Sequence, residues 1–253
     1  MTADDQETRL GEWRRLALAA LRRSGTAGDG DGPEQVEELL AARTYDGLRI
    51  PALQTAETTE LPPFPYVRGA RDQGGWDVRQ RHTDGRTALT DLENGATSLW
   101  LVTGGLDWGT LDGILLDLAP VVLDSGPDFP AAGAAWFALL AARDVDPAAV
   151  SGGFGADPLG WRARTGDPSG LPGALRDAAA LAGRCVAEAP GLRTITVDAT
   201  LYHDAGAADA FEVACAAAAG VAYLRALTDA GLSVADALGQ LEFRFAATAD
   251  QFA

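Results

Sequence analysis

The sequence predicts an α/β protein with a parallel sheet, and three observations carry that expectation. From residue 71 onward, short β-rich runs alternate with longer helical ones, the pattern that lays parallel strands side by side through right-handed crossovers. Asn94-Gly95 is a turn signal that leads straight into the apolar run Thr97 to Thr103. The length of 253 residues is close to that of a single (β/α)8 barrel, and the 47% hydrophobic content allows a sizeable core.

Taken in order, residues 6 to 24 read as an amphipathic helix, with Leu10, Trp13, Leu16, Ala17, Ala20 and Leu21 at helical spacing. Ser24 to Pro33 is a Gly/Asp-rich loop, Glu34 to Arg43 a short helix, and Tyr45 to Pro51 a brief extended segment. Pro62, Pro63 and Pro65 predict a stiff extended path, so residues 1–70 form an N-terminal arm. Strands are then expected at Trp76 to His82, Thr97 to Thr103, Pro120 to Asp124, Val150 to Phe154, Thr194 to Thr200 and Leu241 to Ala246. The helices between them are Leu111 to Leu118, Ala131 to Arg143, Leu171 to Ala187, Ala207 to Asp229 and Val234 to Gln240, with Ser233 as an N-cap. Six strands and a stop at Ala253 leave two readings open, an open sheet or a barrel cut short.

Charge and composition exclude several functions. The net charge is −16, and all 20 basic residues are arginine. Nucleic acid is not an expected partner, because counterion release needs a concentrated basic face. Without lysine there is no Schiff-base lysine, no pyridoxal phosphate anchor and no P-loop lysine. No apolar run reaches the ~18 residues of a membrane span, and the acidic start, Met1 to Glu7, has no signal core. A cytoplasmic protein without a membrane partner is expected. Cys185 and Cys215 read as buried small hydrophobes, and His82 and His203 form no metal-ligand cluster.

Among residues that carry chemistry, His203 in Tyr202-His203-Asp204 follows an expected strand end, where α/β proteins place ligand sites. A structural loop histidine is the competing reading. Arg79 and Gln80 offer donors for a carboxylate or thioester, or else belong to a buried polar network or a subunit contact. Gly152 to Gly160 is glycine-rich but lacks the G-x-G-x-x-G frame, which favours a tight βα loop over a phosphate cradle. Asp124 and Asp198 lie near strand ends and are a possible metal or acid/base pair. Most of the six tryptophans read as core or interface anchors.

The runs Trp76 to His82 and Leu92 to Leu101, read together, resemble the small subunit of the heterodimeric, coenzyme-B12-dependent methylmalonyl-CoA mutases. The resemblance extends through Glu12-Trp13-Arg14, Thr44 to Gly47, Pro65 to Gly69, Ala156 to Gly160, Val197 to Ala199, Ala205 to Ala207, Gly220 to Arg225, Phe243 to Phe245 and Ala249 to Phe252. It implies a (β/α)8 TIM-type barrel, incomplete at about six βα units over residues 71–253. An N-terminal arm, residues 1–70, would wrap the partner, with Trp13 as a contact aromatic, and the C-terminal B12-binding domain is absent.

The resemblance further implies a heterodimer with a large subunit that holds adenosylcobalamin and the acyl-CoA substrate and interconverts methylmalonyl-CoA and succinyl-CoA. In that family, catalytic subunits carry a Tyr-His pair on the fifth strand. A gapless match places Thr200-Leu201 there, while Tyr202-His203 abut the Asp204-Ala205-Gly206-Ala207 turn. Arg81 stands where a catalytic tyrosine follows the Arg-Gln pair, Gly74 stands where an arginine contacts the CoA ester, and the cobalt-ligating Asp-x-His-x-x-Gly motif is missing. A non-catalytic subunit is therefore expected, with Arg79, Gln80, Tyr202 and His203 as a degenerate substrate site. The alternatives are a stand-alone TIM-barrel acyl-CoA isomerase or hydrolase using His203, and a pure interaction module.

Overall fold

The computed structural model describes residues 3–54 and 76–248. The three prolines of the expected arm, Pro65 to Gly69, Gly74 and Ala249 to Phe252 lie outside the described residues. The chain divides into two compact units, an N-terminal one and a second over Gly74–Thr248.

In the N-terminal unit, helix α1 (Ala3–Ser24) sets Leu18 and Leu21 against Ala27 and Val36, with Trp13, Ala17 and Leu39 packed around them. A helical turn at Pro33–Gln35 leads into α2 (Val36–Leu40), where Arg14 Nε donates to Glu37 at 2.8 Å. The helix expected to reach Arg43 stops at Leu40. Ala41 turns extended, and β1 (Ala42–Arg43) pairs antiparallel with β2 (Arg49–Ile50). Trp13, expected at a partner contact, is partly buried in this unit's own cluster.

The second unit holds a six-stranded sheet of β3 (Arg79–His82), β4 (Ser98–Val102), β5 (Val121–Asp124), β6 (Gly152–Ala156), β7 (Leu192–Asp198) and β8 (Leu241–Arg244), in sequential order. All five pairings are parallel. Right-handed crossovers between strands taken in chain order place the helices on one face, the arrangement of a barrel and not of a doubly wound sheet. The expected α/β barrel-type fold is present as an open arc; the described strands do not close into a ring.

Helices α3 (Gly85–Glu93), α4 (Phe129–Ala142), α5 (Pro158–Thr165), α6 (Leu171–Glu188), α7 (Thr200–Asp204), α8 (Asp209–Asp229) and α9 (Val234–Gly239) connect the strands. Strand alternation then sorts the residues. Leu99, Leu101, Val121 and Leu123 pack with Leu111, Trp136 and Leu140. Ile195 and Val197 pack with Ala178 and Ala182 of α6 and with Ala216, Tyr223 and Leu227 of α8. Alanine and glycine on these helices let them approach the sheet closely. Against the expectation that no apolar run reaches the length of a membrane span, helix α8 is long and apolar enough to cross one by length and composition. Here it lies on the sheet through Ala216, Gly220, Tyr223 and Leu227.

Several expectations are corrected. The run Leu111 to Leu118 is no helix, since only Trp108–Leu111 is helical and Gly113 takes φ +94°. That leaves Leu115 and Leu118 exposed. Gly152 to Ala156 is strand and not loop. At Gly152 (φ +135°) and Gly155 (φ +61°) a Cβ would collide with the carbonyl oxygens of Val121 and Leu123, so glycine lets β5 and β6 approach. Strand β7 ends at Asp198, and Thr200 already opens α7, so Tyr202-His203 sits on a helical turn. The single helix expected over Ala207 to Asp229 starts at Asp209. Helices α3 and α5 were not foreseen.

Candidate active-site cleft

Three consecutive parallel strands end on aspartate. Asp124 closes β5, Asp157 follows β6 as the N-cap of α5, and Asp198 closes β7. Together with Arg244 at the end of β8, they border a cleft of about 560 Å³ at the carboxyl ends of the strands. This is the end at which parallel α/β folds bind ligands. Trp100 of β4 and Trp161 of α5 form its aromatic walls, and Arg81 and Arg164 reach in from either side.

Each of these three strand-end aspartates is already partnered, whereas Asp204 of α7 also lines the cleft. Arg164 donates to Asp198 Oδ2 at 2.8 Å, and Arg244 donates to the same oxygen at 3.4 Å. The Thr200 amide and hydroxyl donate to Asp198 Oδ1. Arg81 donates through Nε and Nη2 to Asp124 Oδ2 at 3.3 and 3.2 Å. Asp157 receives the Gly160 amide at 3.0 Å, the Asp198 amide at 3.1 Å and the Tyr223 hydroxyl. That hydroxyl accepts from the Leu159 amide at 2.7 Å, so the five groups lock the ends of β6 and β7 to α5 and α8.

Burial raises the Asp157 carboxyl above its ordinary range, opposed by these donors. Burial, reinforced by the adjacent Asp157, pushes the Tyr223 hydroxyl up as well, so it stays a neutral donor. Asp124 and Asp198, the possible metal pair, are each held by arginine. No cluster able to hold a metal ion occurs among the described residues.

Of the residues singled out in the sequence, Asp124 and Asp198 meet in the cleft, whereas Arg79, Gln80, Tyr202 and His203 are not brought together. Arg79 donates to Ser98 Oγ at 2.8 Å and to Asp77 at 3.3 Å. Gln80, its neighbour on β3, faces the opposite way and is exposed. Tyr202 packs against the cluster behind the sheet, and burial raises its hydroxyl. His203 Nδ1 lies 3.5 Å from Oε2 of the buried Glu212, whose Oε1 accepts the Ala246 amide at 3.0 Å. His203 therefore faces a buried carboxylate. None of the four lines the cleft.

The residues that do line it and were missed are Arg81, Trp100, Asp157, Trp161, Arg164 and Arg244. The recurrence of aspartate at successive strand ends, with Asp157-Pro158 as a helix start, was the available signal. Neither histidine faces the cleft, since His82 is buried beside Thr87 and Asp91 and His203 turns to Glu212. The described residues therefore offer no imidazole to this cleft.

Comparison with known proteins agrees with this architecture. The family model described as methylmalonyl-CoA mutase matches residues 108–253. A methylmalonyl-CoA mutase small subunit from Streptomyces virginiae is 46% identical over 95% of this chain and 42% of its own length. A probable methylmalonyl-CoA mutase small subunit from Mycobacterium bovis is 38% identical over 98% of this chain and 43% of its own. A small subunit from Propionibacterium freudenreichii subsp. shermanii is 33% identical over 84% and 36%. The chain thus spans about two fifths of the length of the curated relatives it matches. With the family match covering more than half of its residues, the chain belongs to the methylmalonyl-CoA mutase family.

Proposed function

We propose that this chain is the arm and barrel of the small subunit of an adenosylcobalamin-dependent methylmalonyl-CoA mutase. It would work in the cytoplasm as a heterodimer with a large subunit that holds the cofactor and the acyl-CoA. Residues 1–70 would contact the partner, and the barrel would stabilise the partner's catalytic barrel without turning over substrate. The observation that carries this is the run of small-subunit relatives aligned over 84% to 98% of the chain. The chemistry of the cleft supports the non-catalytic part. Asp124 and Asp198 are bound to arginine, Asp157 is bound to three donors, and His203 stands against Glu212 outside the cleft. General acid–base work needs a group free to exchange its proton with substrate.

The test is co-expression with a mutase large subunit, following complex mass by light scattering and cofactor-dependent turnover of methylmalonyl-CoA. A one-to-one complex is expected, with turnover only when the large subunit is present and no change in kcat or KM for His203→Ala. Turnover by this chain alone, abolished in His203→Ala, would instead assign it its own active site.

A further inference from the structure

Arg244 and Trp100 meet across the inside of the sheet. Trp100 is on β4 and Arg244 is on β8, with β5, β6 and β7 between them. Neighbouring strands are spaced about 4.8 Å apart, so in a flat sheet these two strands would lie about 19 Å apart. Yet the Arg244 guanidinium sits 4.1 Å from the Trp100 ring centroid, inside the range of a cation–π contact. Arg81, on the outermost strand β3, approaches the same ring at 5.7 Å. The one indole therefore receives a cation from each end of the arc.

Both arginines are also fixed from below, Arg81 by Asp124 and Arg244 by Asp198. The ordinary inside of a barrel is filled by layers of branched apolar side chains that hold its curvature. Here the corresponding positions at the carboxyl end carry Arg81, Trp100, Asp124, Thr196, Asp198 and Arg244.

We infer that Arg81, Trp100 and Arg244 form a cross-barrel clasp that holds the six-stranded arc curled in place of an apolar inner core. Arg244 is the decisive member, because it joins the last described strand to the second. The device uses Arg81 and Arg244 for curvature, while the third cation of the cleft, Arg164, is paired with Asp198. It stands independently of the proposed mutase role, since it concerns this chain's own sheet.

The experiment is a double-mutant cycle on the full chain, Arg244→Leu with Trp100→Leu, read by urea unfolding. Arg244 also bonds Asp198, and the cycle separates the ring contact from that bond. The expected coupling is about two- to thirtyfold in the folding equilibrium constant, the range of a cation–π pair. In parallel, spin labels at Gln80→Cys and Leu238→Cys, with Cys185→Ala and Cys215→Ala, report the distance across the arc. Arg244→Leu is expected to lengthen and broaden that distance, while Arg244→Lys preserves most of it. If Arg244→Leu fails to fold, the neutral polar Arg244→Gln takes its place in the cycle and in the distance series. Additive effects on stability, or an unchanged distance distribution in the variant that lacks the cation, would each overturn the clasp.

Discussion

The two faces of the parallel sheet are built from opposite chemistry. Towards the helices, β4, β5 and β7 present Leu99, Leu101, Val121, Leu123, Ile195 and Val197, all almost fully buried. Towards the cleft the same strands present Trp100, Asp124, Thr196 and Asp198, with Arg81 and Arg244 from the flanking strands. The first face gains stability from area removed from water, which needs no particular partner. The second depends on matched pairs, each useful only while its partner is present. A fold so divided can change or lose the chemistry of its cleft while the helix-facing layer goes on specifying the architecture.

The sharpest way to break this contrast is to truncate one tryptophan from each side. Trp136 is 1% exposed, tilted against Trp108 with ring centroids 6.4 Å apart. Trp136→Ala should cost about 3–5 kcal/mol in chemical denaturation, through lost transfer energy and an unfilled cavity. Trp161→Ala, on the partly exposed cleft wall, should cost less than half as much. Equal losses would mean that the cleft face carries as much of the core as the helix face.

Next in size is the buried lock that joins the two faces. Tyr223→Phe removes the hydroxyl that donates to Asp157 and accepts from the Leu159 amide. An amide left without an acceptor costs about 1–3 kcal/mol, measurable in the same denaturation series. The carboxyl itself sets a pH dependence. Because burial raises Asp157 above its unfolded value of 3.8, the folded state holds this proton more tightly than the unfolded state. Its contribution is fully present below pH 3.8 and is lost as pH rises through the folded value. The difference in stability between wild type and Asp157→Asn should therefore shift against the wild type as pH rises through that window. A flat difference would show that the three donors cancel burial, and a shift in favour of the wild type would show that they outweigh it.

The helix-facing layer was largely legible in the sequence, and the cleft was not. Leu10, Trp13 and Ala17 mark α1 by spacing, and Ser233 caps α9 by accepting the Asp236 amide, as its position before a helical run implies. The six strands appear as apolar or alternating runs because one side of each must be buried. Where reading failed, a local signal was outweighed or overlooked. Helix α3 is short and rests on the Asp84 cap, and α5 announces itself only by Asp157 followed by Pro158 at its first position. Leu111 to Leu118 has helical spacing, but Gly113 in a left-handed conformation turns the chain instead. The cleft pairs join residues distant in sequence, such as Arg81 with Asp124 and Trp100 with Arg244. Periodicity says which face a residue takes and nothing about which far strand it meets. His203 drew attention by its chemical type, although its partner, Glu212, lies behind the sheet.

The smallest expected effect is also the most discriminating for the cleft. Arg81 and Asp124 are 52% and 33% exposed, so water and salt screen them far more than they screen Asp157. Asp124→Asn should lower stability by about 0–1 kcal/mol, and that difference should vanish at high salt. Arg81 would remain beside Trp100 at 5.7 Å and keep its ring contact. A loss well above this range that persists in salt would mean that Asp124 anchors Arg81 against the ring, as Asp198 anchors Arg244. The inner face would then be one connected network, and its removal should be tested as a unit instead of pair by pair.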